Sequence, residues 1–257
     1  MRTTFRSLLE SGRHFMGCYI TIPSPQIIEV LKYAGLDYVI LDLIHDGLTV
    51  ADLRQLIYAA DAVGMAVMAR VRAEDADTMT KVLDLGVSAL RIPDVHNAEI
   101  AAAAVRNARY APEGNRGVCP NVRSNRYACE GPVNTAAANR ELVISAIIES
   151  VEGVNNLDAI ISTEGIDTIS VGRSDLANAK GVSGQQDHPL VEQAVREAAE
   201  ACRRLGKCCS VTLNDPAKVT EYLDMPGVTH FMVRQPVNIL YDGYRKITET
   251  IHNAYKE

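Results

Sequence analysis

Asp42 is the only charge within the apolar run YVILDLI, and His45 follows it by three residues. Such a pair can serve as a general base, because an imidazole titrates near neutrality and a carboxylate can orient it. Further polar residues end apolar runs of the same kind. Arg70 closes AVMAR, Glu149 closes ISAIIE, Asp175 follows Gly172 in ISVGRSDLAN, and Arg234 closes FMVR. Singly, each has an ordinary structural reading as a helix cap, a structural histidine or a salt bridge. Together they exceed what structure alone needs, since buried charges are costly unless paired or metal-bound.

Two carboxylates, Glu149 and Asp175, with neither Cys nor a second His suit a hard divalent ion such as Mg²⁺, Mn²⁺ or Co²⁺. A 2-keto acid chelates such an ion through its carboxylate and keto oxygen, and the ion then supports an enolate. Arg70 would set a fixed cation against the enolate oxygen and contact the substrate. His45 would take the proton and Asp42 would orient it. The backbone N–H groups of Gly172, Ser174 and their neighbours, at a helix start, would receive the substrate carboxylate.

These residues need a scaffold that brings strand ends together. Eight short β-like runs alternate with helical patterns: 16–22, 38–43, 66–71, 89–94, 143–149, 167–172, 208–213 and 230–234. The intervening helical segments lie near 25–35, 50–63, 76–86, 97–109, 151–163, 188–205 and 215–224, with a last one near 236–254. Such alternation predicts βαβ units and a parallel sheet, and eight units close an α/β (β/α)8 TIM barrel. The first turn, TIPSPQ, lacks the G-x-G-x-x-G of the rival open sheet. A single domain over 1–257 is expected. Residues 112–140 break the rhythm with Pro, Gly, Asn and Arg, and predict a functional or interface loop on the active side or down the wall.

Composition narrows the classes. The 257 residues carry a formal net charge of -6 with no basic block, which argues against a nucleic-acid partner. No apolar run approaches the roughly 20 residues of a membrane span. Charge breaks the N-terminal stretch, unlike a signal peptide. The six cysteines show no C-x-x-C and read as free thiols of a cytoplasmic protein, with Cys208 and Cys209 in the core.

The stretches GLDYVILDLIHD, MARVRAED, KVLDLGVSALRIPDV, RYAPEGNRGV, IIESVEGVNNLDAI and ISVGRSDLANAKGVSGQQDHP together resemble the HpcH/HpaI family of class II, metal-dependent pyruvate aldolases. Its members include 2,4-dihydroxyhept-2-ene-1,7-dioate and 2-dehydro-3-deoxyglucarate aldolases. The resemblance runs from about residue 5 to 250. It implies a (β/α)8 barrel, with His45 as proton acceptor, Arg70 as transition-state stabiliser, Glu149 and Asp175 as metal ligands, and Asp42 as partner of His45. It also implies that Asp84 raises the basicity of the histidine, although by its own position Asp84 reads as a surface carboxylate at a helix end. A homo-oligomer is implied too, a hexamer built from dimers in which the last helix, carrying YRKITETIHNAY, packs on a neighbour.

The chain departs from the family pattern around this machinery. Leu43-Ile44 stand where the family has x-Glu before the histidine, Ile147 where Gln is frequent, and Arg173-Ser174 in the usual G-P-x-D turn. Arg91 and Arg234 replace apolar residues. Arg91, Arg173 and Arg234 at the mouth would favour a small 2-keto acid, or an acceptor, with extra negative charge, and Arg234 is a candidate substrate contact. The alternative turns Arg91 toward the helices and Arg173 toward water. Reversible aldol cleavage to pyruvate and an aldehyde is the expected reaction. A Claisen-type condensation of oxaloacetate with acetyl-CoA, like a citrate synthase, and a non-catalytic acid-binding barrel are the alternatives.

Overall fold

A computed structural model describes residues 3–45 and 47–255. Eight parallel strands close in sequence order: β1 (Phe15–Ile20), β2 (Tyr38–Asp42), β3 (Ala66–Arg70), β4 (Ala89–Ile92), β5 (Val143–Ile148), β6 (Thr168–Val171), β7 (Cys208–Leu213) and β8 (Val228–Val233). The expected barrel is present, and all eight expected runs coincide with strands. The helices are α1 (Phe5–Glu10), α2 (Pro25–Tyr33), α3 (Val50–Ala62), α4 (Ala76–Asp84), α5 (Ala98–Ala108), α6 (Thr135–Glu141), α7 (Val151–Asn155), α8 (Leu157–Ile161), α9 (Arg173–Ala179), α10 (Pro189–Arg204), α11 (Val219–Leu223) and α12 (Pro236–Ala254). Among the described residues no helix is long and apolar enough to cross a membrane.

Period-two alternation builds two cores. Outward residues such as Val39, Leu41, Ile144 and Ile148 pack with the helices in one large apolar cluster. Inward residues of the strands' first halves, among them Phe15, Tyr38, Ile40 and Met68, form a second cluster with Phe5 and Leu8 of α1. Local signals set the helix starts. Thr49 and Asp52 make a reciprocal capping box on α3, and proline opens α2, α10 and α12. The turn into β8 relies on Gly227 at φ +92, where a Cβ would stand 2.2 Å from the Ala199 carbonyl oxygen.

Charge breaks the N-terminal segment in sequence, yet it folds as α1 and seals the strand-start end of the barrel. Phe5 is fully buried and meets Phe15, Tyr38 and His230 edge-on, with centroids 5.4, 5.0 and 5.4 Å away. Thr4 and Ser7 cap the helix reciprocally.

The irregular stretch from 112 corrects one expectation. It follows α5, so it is an αβ connection at the strand-start end, not a loop of the active side. Arg116 anchors it to Asp84 at 2.6 Å, and Arg123 donates to the Leu85 carbonyl and pairs with Asp61. Its 3-10 turn, Arg123–Ala128, includes Arg126 and Tyr127 at positive φ.

The last helix is mostly unburied. Pro236 is its one buried residue, while Ile239, Leu240, Tyr244, Ile247 and Ile251 are exposed. All six cysteines are free, with Cys209 buried and Cys208 half-buried.

Candidate active site

Lateral strand register assembles the site. Asp42 of β2 and Arg70 of β3 are Cα partners, and the same row continues through Arg91 of β4 to Ser145 of β5. All four side chains point inward. Arg70 Nη1 therefore reaches Asp42 Oδ2 at 3.1 Å, while Nη2 lies 4.0 Å from Glu149 Oε2. Burial works against the Arg70 charge, but Tyr19, Asp42 and Glu149 outweigh it and raise its pKa. The guanidinium is thus a fixed, fully ionised donor at the mouth.

Glu149 stands one residue beyond β5. Its Oε1 accepts the Asp94 backbone N–H at 2.8 Å. Burial pushes the Glu149 carboxyl above its ordinary range, and Asp175 adds to the rise. The Asp94 N–H, Arg70 and Arg91 work in the opposite direction. Close approach is possible because residue 172 is glycine. A Cβ there would sit 2.6 Å from Glu149 Oε2 and 2.8 Å from its Cβ. Gly172 caps α9, and Asp175 occupies its first turn.

Glu149 and Asp175 line one cavity of about 440 Å³ with Asp42, His45, Arg70 and Ser174. The donor set fits a divalent cation. Two like charges raise one another's cost of ionisation, and a hard cation reverses that penalty. Among the described residues no three His, Cys, Asp or Glu side chains converge as a ligand set. Water and substrate oxygens would complete the coordination.

His45 is exposed in the turn after β2 and lines the same cavity. Asp42 acts on the chain that carries it. Oδ1 accepts the backbone N–H groups of Ile44 at 2.8 Å and His45 at 3.4 Å, and Oδ2 is committed to Arg70. The expected contact of Asp42 with the imidazole is replaced by control of the turn. Asp84 is not brought to the mouth of its own barrel. It ends α4, at the strand-start end, held by Arg116, which also stacks over Tyr110 at 4.4 Å.

The three extra arginines separate. Arg234 pairs with Asp242 at 2.5 Å on the rim and lines the cavity. Arg173 is buried, not turned to water, and is held by Glu192 at 2.5 Å and the Tyr222 hydroxyl at 3.0 Å. Arg91 lies inside the barrel, not against the helices. Its Nε donates to Tyr19 Oη at 2.9 Å and its Nη2 to Ser170 Oγ at 2.6 Å. Ser174 lines the cavity, its hydroxyl accepting from Gln186, which in turn accepts from Asn214.

Sequence reasoning missed Tyr19, Ser170, Gln186 and Asn214. Tyr19 was legible in principle. In FMGCYI, counting inward from Phe15 by twos reaches Gly17 and Tyr19. Gln186 and Asn214 sit in loops, where no period marks direction.

Residues 16–230 match the family model described as HpcH/HpaI aldolase/citrate lyase. The chain is 35% identical over 246 residues to a 5-keto-4-deoxy-D-glucarate aldolase of Salmonella arizonae, covering 96% of this chain and 95% of that one. A protein of the same name from Klebsiella pneumoniae is 32% identical over 253 residues, covering 98% and 96%. Among solved structures, an HpcH/HpaI aldolase from Desulfitobacterium hafniense superposes with a TM-score of 0.90 at 29% identity, covering 97% and 96%. The citrate synthase SbnG superposes at 0.88 with 27% identity, covering 98% and 99%.

Proposed function

This chain belongs to the HpcH/HpaI aldolase/citrate lyase family, and on that premise we propose that it is a class II pyruvate aldolase. It would reversibly cleave a hydroxylated 2-keto acid to pyruvate and an aldehyde. The observation that carries the reading is the convergence in one cavity of Arg70, tied to Asp42 and 4.0 Å from Glu149, with Asp175 and His45. The curated relatives named as aldolases support carbon–carbon cleavage.

Glu149 and Asp175 would hold the divalent ion, which when bound supplies positive charge against the keto oxygen. Arg70 adds a preorganised donor beside that oxygen. In cleavage His45 takes the proton of the substrate's C4 hydroxyl. The C3–C4 bond breaks, an aldehyde forms, and the electron pair becomes the pyruvate enolate. A proton returned to C3 completes pyruvate. The turn at Gly172 and Ser174 receives the substrate carboxylate. The six free thiols support a reducing, cytoplasmic setting, and the bare face of α12 supports a homo-oligomer.

The test is proton NMR of pyruvate in D2O. We expect the methyl signal to vanish by exchange with Mg²⁺ or Mn²⁺ and to persist with EDTA. His45→Ala should stop exchange while retaining metal binding, and Glu149→Ala should lose both. Exchange that ignores EDTA, or survives in His45→Ala, overturns the role assignment. Condensation is the second reading, favoured by the likeness to a citrate synthase. Citrate formation from oxaloacetate and acetyl-CoA, with no exchange on pyruvate, would establish it.

A further inference from the structure

Four cationic side chains line the cavity: Arg70, Arg91, Arg173 and Arg234. Three already have carboxylates. Arg70 has Asp42, Arg173 has Glu192, and Arg234 has Asp242. Among the described residues no carboxylate lies within 4.0 Å of the Arg91 guanidinium, although Arg91 is only 2% exposed. A guanidinium cannot escape this cost by losing its proton. A buried cation with no carboxylate in contact is unfavourable, and the charge of Glu149 reaches Arg91 only at longer range.

The surroundings of Arg91 are polar but neutral. Nε and Nη2 are spent on the Tyr19 and Ser170 hydroxyls, and Nη1 has no hydrogen-bond partner among the described residues. Tyr19 accepts from Arg91, so its own proton is free to be donated, and Tyr19 lines the cavity. Ser145, the lateral partner of Arg91 on the inner wall, is fully buried with an unpartnered hydroxyl. The two oriented donors that line the cavity, Arg91 and Tyr19, suit a planar anion that accepts several hydrogen bonds, and the orphaned Ser145 hydroxyl lies behind them on the same row of the barrel wall.

We propose that Arg91, with Tyr19, is a specificity-determining anchor for a second carboxylate on the donor keto acid, so that the site prefers a keto diacid to a keto monoacid. The inference rests on the enolate reading for its chemistry, but its test does not.

The experiment is calorimetric titration of the Mg²⁺-loaded protein with malate and with lactate, the unreactive reduced counterparts of oxaloacetate and pyruvate. Pyruvate methyl exchange is followed in parallel. In the wild type malate should bind more tightly than lactate. Arg91→Leu should lower the malate-to-lactate affinity ratio by about 10- to 100-fold. Arg91→Lys should recover part of the loss. Tyr19→Phe, which leaves the cation in place, should shift the malate-to-lactate ratio less and in the same direction. Equal weakening of both acids, or of neither, overturns the proposal, as does a ratio in Tyr19→Phe that moves the opposite way. Failure of pyruvate exchange in the wild type would instead overturn the enolate reading and leave the ratio interpretable.

Discussion

His230 shows how strongly one position can dictate a protonation state. It is fully buried inside the barrel, stacked on Phe15 at a centroid distance of 4.8 Å, with Nδ1 2.9 Å from the Thr229 hydroxyl. Burial, reinforced by Arg91, lowers its pKa from 6.5 to about 3. An unfolded chain therefore binds more protons than the folded one between those values. The stability held above pH 6.5 is lost as pH falls through this window. At pH 4.5 the loss from this residue is about 2–3 kcal/mol. Urea midpoints at pH 7 and 4.5 check it, because His230→Asn should lose visibly less on acidification than the wild type. Equal losses would assign the acid sensitivity to other groups. Gly172 constrains the site just as tightly, through space: any side chain there collides with Glu149.

At the level of elements, α12 is anomalous. A helix with exposed Ile239, Leu240, Tyr244, Ile247 and Ile251 on a barrel whose outer strand residue Met16 is 42% exposed is incompletely covered. An apolar stripe of this kind marks a protein–protein contact, and a second copy of the chain is the partner proposed for it. Light scattering after size exclusion should show an oligomer for the wild type. The double variant Tyr244→Glu, Ile247→Asp should shift it to smaller species without unfolding. A wild-type monomer would remove the reading. The stripe was legible in the sequence as a helix, but its direction was not, since apolar spacing shows that a face is buried and not what buries it. The strands were legible for the converse reason. Short, almost wholly apolar runs such as YVILD and AVMAR are what a sheet covered on both sides requires, and the charges that end them mark the mouth. Position along a strand therefore located Asp42, Arg70 and Glu149.

At the scale of the whole molecule, what stayed hidden was pairing. Sequence placed Arg91, Arg173 and Arg234 near one end, yet their meanings differ because Glu192 and Asp242 lie on helices 19 and 8 residues away. The loop from 112 read as lying on the active side or down the wall, because its composition signals irregularity and carries no sign of which end it serves. The aromatic seal of Phe5, Phe15, Tyr38 and His230 was likewise invisible, being assembled from four distant segments. That seal has a kinetic consequence. With the lower end shut, the cavity is a cul-de-sac, and whatever binds at its floor must arrive first and depart last. Traffic in the cleavage direction should be ordered, with the aldehyde leaving before pyruvate. Pyruvate should then inhibit competitively against the cleaved substrate and the aldehyde non-competitively. Two competitive patterns would mean that the products leave independently, through more than one door.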